Sequence, residues 1–199
     1  MAASGGAQTR GARTCIVNRT SPHGRSSNRR CKMKKFLLTT GTIAALIAAG
    51  ITGANAGNSA SVYQSGRHNT GVFTQNGYHN KGAIDTQGNR NHSKAVQRGE
   101  WNYLYQQQLG NRNAALTDQY GRNNYAVTGQ EGRNNSATTV QTGRSNTSGI
   151  AQIGNNHQAT TDQYGSNNTS ATIQVGNGQK ANTVQTGSGN TSVVIQGGY

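Results

Sequence analysis

Glycine recurs at an unbroken spacing of eleven: Gly66, Gly77, Gly88, Gly99, Gly110, Gly121, Gly132, Gly143, Gly154, Gly165, Gly176, Gly187 and Gly198. Compositional drift does not hold a register over thirteen copies. A fixed period of this kind marks an architecture in which each unit is one supersecondary element stacked on its neighbours. Two residues before each glycine stands glutamine: Gln64, Gln75, Gln97, Gln108, Gln119, Gln130, Gln141, Gln152, Gln163, Gln174, Gln185 and Gln196. The exception is Thr86, with Gln87 displaced by one. Three residues after each glycine stands asparagine: Asn69, Asn80, Asn91, Asn102, Asn113, Asn124, Asn135, Asn146, Asn168 and Asn190, with His157 and Gln179 as substitutes.

Alternate residues of an extended strand face the same way. In one unit these are Asn135, Ala137, Thr139 and Gln141, with Ser136, Thr138 and Val140 facing the other way. Gly143 and the two residues after it are expected to form a tight turn, where glycine tolerates positive φ and asparagine suits the exit. Each unit is then one strand and one turn, and two units close a coil of 22 residues. Longer identities support the pairing: Asp118-Gln119-Tyr120-Gly121 recurs as Asp162-Gln163-Tyr164-Gly165, 44 residues on. The expected fold is all-β: a β-solenoid of thirteen eleven-residue strand-turn units spanning 62–199, preceded by a short segment at 57–61. At about 4.8 Å between strands, some six coils make a slab roughly 30 Å tall.

A chain that is 31% hydrophobic and 12% charged would on composition alone suit disorder. The solenoid resolves this. An unpaired buried amide costs about 2–7 kcal/mol, but in stacked coils each Gln lies over the next, and the amides satisfy one another along a ladder. Small and β-branched residues pack between the ladders. The repeat shows no capping unit at either end, whereas soluble solenoids cap theirs and block their sheet edges. Open edges that match another copy are expected to stack into a cross-β filament.

Nine of the 19 Lys and Arg lie at or before Lys35, so the net charge of +14 is concentrated at the N-terminus. From Gly57 onward ten bases meet five acids, which is no nucleic-acid signature. Met33-Lys34-Lys35, the apolar run Phe36–Ile51 and the small residues of Ala54-Asn55-Ala56 are expected to form a signal peptide over 33–56, cleaved after Ala56. Thr39, Thr40, Gly41, Thr42 and Gly50 break the run below the ~20 apolar residues of a transmembrane helix. Residues 1–32 fit no part of such a signal and are expected to be a non-native extension ahead of a start at Met33, a long basic leader being the alternative. They hold Pro22, Cys15 and Cys31, so a chain cleaved after Ala56 has neither Cys nor Pro.

The unit Gln-x-Gly-x-x-Asn-x-Ala-x-x-x-Gln, repeated behind a signal peptide over nearly all of 62–199, resembles the curlin repeat of bacterial curli fibres. The resemblance implies secretion through a dedicated outer-membrane pore with its chaperones, then nucleated assembly into an extracellular amyloid fibre on the cell surface. It implies roles in biofilm matrix, surface adhesion and host contact. The family's stacking positions carry over onto the Gln, Gly and Asn residues above. Uniform copies and the strong last strand Val193-Val194-Ile195-Gln196 favour the major fibre subunit; a minor nucleating subunit is the alternative. Two departures stand out. Thr86/Gln87 is expected to slip the register, and Asn102-Tyr103-Leu104-Tyr105-Gln106 places Leu and Gln where small and β-branched residues belong, which is expected to bulge that copy.

Other residues carry less. His68 and His79 sit at successive turns on opposite edges and match no compact ligand set, so no metal or cofactor is expected. Asp85, Asp118 and Asp162 are too sporadic for calcium-binding nonapeptide repeats. No Ser/His/Asp or Cys/His arrangement points to an enzyme. Arg67, Arg122, Arg133 and Arg144 share one turn position and are candidate gatekeepers, slowing premature stacking by repulsion between aligned like charges. A monomeric ligand-binding solenoid would present a flat outer threonine array, whereas Thr117, Thr128, Thr139, Thr161, Thr172 and Thr183 fall on the Asn/Gln face.

Overall fold

The computed structural model describes residues 57–198. The expected extension over 1–32 and signal peptide over 33–56 lie outside the described residues, as does Tyr199. Thirteen strands follow one another: β1 (Ser59–Arg67), β2 (Thr70–Tyr78), β3 (Lys81–Asn89), β4 (His92–Glu100), β5 (Tyr103–Asn111), β6 (Ala114–Arg122), β7 (Tyr125–Arg133), β8 (Ser136–Arg144), β9 (Thr147–Asn155), β10 (Gln158–Ser166), β11 (Thr169–Asn177), β12 (Lys180–Ser188) and β13 (Thr191–Gly198). The odd strands form one seven-stranded sheet and the even strands one six-stranded sheet, each in chain order.

Every ladder is parallel and pairs residues 22 apart, as in Ala115 with Ala137 and Ala137 with Ala159. This is the solenoid of 22-residue coils, two strands per coil, that the period predicts. Burial alternates along each strand as the inward and outward assignments require: in β8, Ala137, Thr139 and Gln141 are buried while Ser136, Thr138 and Val140 are half-exposed. The six regular threonines are all buried.

The structure corrects four local expectations. The segment at 57–61 is not separate, because Ser59, Ala60 and Ser61 already pair with Lys81, Gly82 and Ala83 inside β1. The register does not slip at Thr86, which lies between Gln64 and Gln108 in an uninterrupted ladder while Gln87 points outward. Nor is β5 bulged: Leu104 and Gln106 are buried, and all nine residues pair with β3 and β7. The large side chains Phe73, Ile84 and Leu104 cluster with Ala95, and glycine makes the room, since a Cβ on Gly82 would collide with the Phe73 ring. Slipping β5 by one residue would turn its whole inward face to solvent, which costs more than one oversized side chain.

The fourth correction concerns the turn. Gly143 and Arg144 remain within β8, and the left-handed residue is Ser145, with φ of 56°. Gly143 itself has φ of 123°. A Cβ there would lie against the carbonyl oxygen of Gly165 in the next coil, and that close approach is why the position is glycine. The left-handed position two residues beyond the glycine is held by His68, His79, Arg90, Trp101 and Arg112 in the first half of the solenoid, and by Asn, Ser or Gly thereafter.

Candidate functional site

Two columns of glutamine run through the core, one per sheet. On the even strands, Gln75 Nε2 donates to Gln97 Oε1 at 2.8 Å, and the bond repeats through Gln119, Gln141, Gln163 and Gln185 at 2.7–2.9 Å. On the odd strands the same bond joins Gln108, Gln130, Gln152, Gln174 and Gln196 at 2.8–2.9 Å. The second amide hydrogen crosses the core to a carbonyl at the start of the opposite sheet's strand, as from Gln141 to Tyr125 at 3.0 Å. Both donors of a buried amide are thereby used, which is the condition for burying it without a penalty.

The asparagines clasp the coil edges. Asn124 Nδ2 donates to the carbonyl of Tyr120 in its own turn and to that of Gly143 in the next coil, both at 3.2 Å. Its Oδ1 accepts from the backbone N–H of Asn146 at 3.1 Å. Each Asn therefore closes one turn and fastens the next.

The ladders are interrupted where the sequence departs from the unit. At Thr86 the odd column breaks, and a relay across the core replaces it: Thr86 Oγ1 lies 3.2 Å from Ser93 Oγ, which donates to Gln108 Oε1 at 2.6 Å. Gln64 Nε2 is buried there without a partner. At the Asn position, buried His157 accepts from the N–H of Gln179 through Nδ1 at 3.3 Å, while its Nε2 lies 3.2 Å from the carbonyl of Ile153. Gln179 reaches the carbonyl of Gly198 at 3.3 Å.

One participant escapes the sequence reading. Asn58 donates to the carbonyl of Gly77 and accepts from the N–H of Asn80, each at 2.8 Å, which are the bonds of an interior Asn. It stands eleven residues before Asn69, so the spacing carried the signal although no glycine precedes it at the usual offset.

The four candidate gatekeepers do not form one set. Arg122 and Arg144 end β6 and β8 and are aligned neighbours one coil apart, with Glu100 3.6 Å from Arg122 on its other side. Arg67 and Arg133 end β1 and β7 on the opposite edge, separated by Asn89 and Asn111. Between them the structure adds Arg90 and Arg112, so that Arg67, His68, Arg90, Arg112 and Arg133 line one open groove. Outward aromatics also stack coil on coil: Tyr103 on Tyr125 at 4.8 Å and His79 on Trp101 at 4.2 Å between centroids. Among the described residues no three or more His, Cys, Asp or Glu side chains are placed to share a metal ion. No helix among them is long and apolar enough to cross a membrane.

Parallel coils fastened by side-chain amides define a β-solenoid built for stacking, in which each coil's bonding partner is another coil like itself. The profile of the curlin associated repeat matches residues 110–138 and again 132–160. Over those residues the chain carries the curlin repeat, whose family is one of structural subunits. The matched stretch begins beyond the relay at Thr86 and includes the substitution at His157. No curated protein matches the chain.

Proposed function

We propose that the chain is a structural subunit of an extracellular curli-type amyloid fibre, assembled by end-to-end stacking of solenoids and serving surface adhesion and biofilm matrix. The observation that carries this reading is that each coil is bonded to a coil like itself through two columns of glutamine amides, so that one coil's partner has the chemistry of any other. Among the described residues, Gln185 and Gln196 each donate one hydrogen to a backbone carbonyl and none to another Gln. A filament of copies continues the same ladder from one copy to the next.

Export by a signal over 33–56, passage through an outer-membrane pore with accessory chaperones, and a companion nucleating subunit belong to the same reading. The uniform interior supports the major subunit. Arg122 and Arg144 act as gatekeepers of assembly, being the aligned pair.

Thioflavin T fluorescence on Gly57–Tyr199 diluted from denaturant tests the proposal. A lag phase abolished by preformed seeds is the expected result. Assembly without a lag assigns the nucleating role instead, and a soluble β-rich monomer that never binds the dye overturns the fibre reading.

A further inference from the structure

Four arginines stand along one edge of the solenoid, one in each of four consecutive coils. Arg67 and Arg133 end β1 and β7, while Arg90 and Arg112 follow β3 and β5 by one residue. All four are exposed, and with His68, Asn89 and Asn111 they line an open groove of about 500 Å³. Successive coils are about 4.8 Å apart, so the row runs roughly 14 Å along the stacking direction.

The row is costly as it stands. All five acids of the chain, Asp85, Glu100, Asp118, Glu131 and Asp162, are among the described residues, and none lies within ion-pair reach of these arginines. The acid that does pair, Glu100, meets Arg122 on the opposite edge. Arg90 and Arg112 also hold φ of 58° and 57°, a left-handed backbone that Asn and Gly adopt more readily. Later coils of the same edge place Asn134, Asn156 and Gly178 at that position. Aligned like charges on strained backbone have no compensation inside the fold, and such local costs collect where a ligand offsets them.

We propose that this groove binds an acidic polysaccharide, a linear chain with one carboxylate on each sugar ring. Guanidinium groups take carboxylates in paired, bidentate hydrogen bonds. A carboxylate on every ring recurs at close to the spacing of one coil, so consecutive rings bring one to each of Arg67, Arg90, Arg112 and Arg133. Asn89 donates to Asn111 Oδ1 at 3.1 Å, which leaves the Asn111 amide hydrogens to ring hydroxyls. Duplex nucleic acid fits less well, because it carries one charge per about 1.7 Å of axis, far denser than the row. Single strands are held by stacking bases on aromatic side chains, and no Phe, Tyr or Trp is among the described residues lining the groove. A small anion would engage only neighbouring arginines, whereas a linear chain engages the whole row.

The groove lies within one copy, so the proposal does not rest on the fibre reading. Equilibrium dialysis of fluorescently labelled tetragalacturonate against the chain expressed from its complete sequence tests it, whether the protein is monomeric or assembled. Retention of the acid and not of its methyl ester is expected, weakening as salt rises. Arg90→Asn with Arg112→Asn keeps a residue suited to the left-handed turn and should weaken binding by about tenfold. Lys94→Ser with Arg98→Ser removes the same charge from exposed positions on β4 and should change binding less than about twofold. Equal losses in the two variants would reduce the effect to net charge and overturn the groove. Tighter binding of a single-stranded deoxyoligonucleotide with as many charges overturns the polysaccharide assignment, and no retention of tetragalacturonate overturns the proposal outright. Where the first variant does not fold, Arg67→Asn with Arg133→Asn, matching Asn89 and Asn111 in the same column, should lose as much; undiminished binding by it overturns the proposal.

Discussion

Gln119 Nε2 donates to Gln141 Oε1 at 2.9 Å and to the carbonyl of Tyr103 at the same distance, so one side chain ties its own coil to the coil above and to the facing sheet. Replacing Gln141 with Leu removes the acceptor for Gln119 and the donor for both Gln163 and Tyr125. Three buried groups then lack partners, at about 1–3 kcal/mol each. Denaturant unfolding followed by circular dichroism should show the midpoint fall sharply; an unchanged midpoint would mean that the columns contribute nothing to stability.

Glycines in the solenoid are not equivalent. Gly143→Ala drives a Cβ into the Gly165 carbonyl at a positive φ and should cost about 3 kcal/mol or more. Gly149→Ala meets open space at an ordinary φ and should be neutral or slightly stabilising. Comparing the two unfolding curves checks the claim, and equal losses would refute it.

The break at Thr86 is repairable. Thr86→Gln together with Ser93→Ala replaces the hydroxyl relay by a glutamine able to receive from Gln64 and donate to Gln108. A gain of about 1 kcal/mol is expected from satisfying the buried Gln64 amide. Thr86→Gln alone should be worse than the pair, because Ser93 already occupies the Gln108 acceptor. A thermodynamic cycle over the two positions measures the coupling.

Arg112 holds a left-handed backbone, with φ of 57°. Arg112→Gly relieves that conformation and removes a charge, whereas Arg112→Ala removes the charge alone. Arg112→Gly should be the more stable of the two by about 1 kcal/mol. The difference in unfolding midpoint isolates the backbone term, and no difference would show that the turn is unstrained.

If aligned charge sets the pace of assembly, Arg122→Ser with Arg144→Ser should shorten the thioflavin T lag more than Arg67→Ser with Arg133→Ser, and the difference should shrink as salt rises. Replacement of all four with no change in the lag would dismiss the gatekeeper role.

The architecture was legible because its period is exact to the residue. A Gly every eleven, with Gln and Asn at constant offsets, defines the strand, its inward face and the two-strand coil before any coordinate is known. What the reading misjudged lay at single copies. Thr86 followed by Gln87 looks locally like a slipped register, and Leu104 with Gln106 like a bulge, because a linear comparison sees only the offending unit. Asn58 has no glycine three residues ahead of it, and Arg90 and Arg112 stand one position along from the other arginines of their edge, so neither group shows in the linear pattern.

The sequence by itself determined the strand period, the polar core and the pairing of units into coils, since each follows from which residues alternate and how often. Only the tertiary structure decided how exceptions are absorbed and which way the amide donors point. Each strand is held by parallel ladders to residues 22 away on either side, and a slip in one copy would break nine backbone pairings with each neighbour. Thr86 therefore stays in register, and Ser93, seven residues on and across the core, supplies the missing bond. The direction of the amide donors is likewise a property of the closed coil, because it arises from which strands face one another in space.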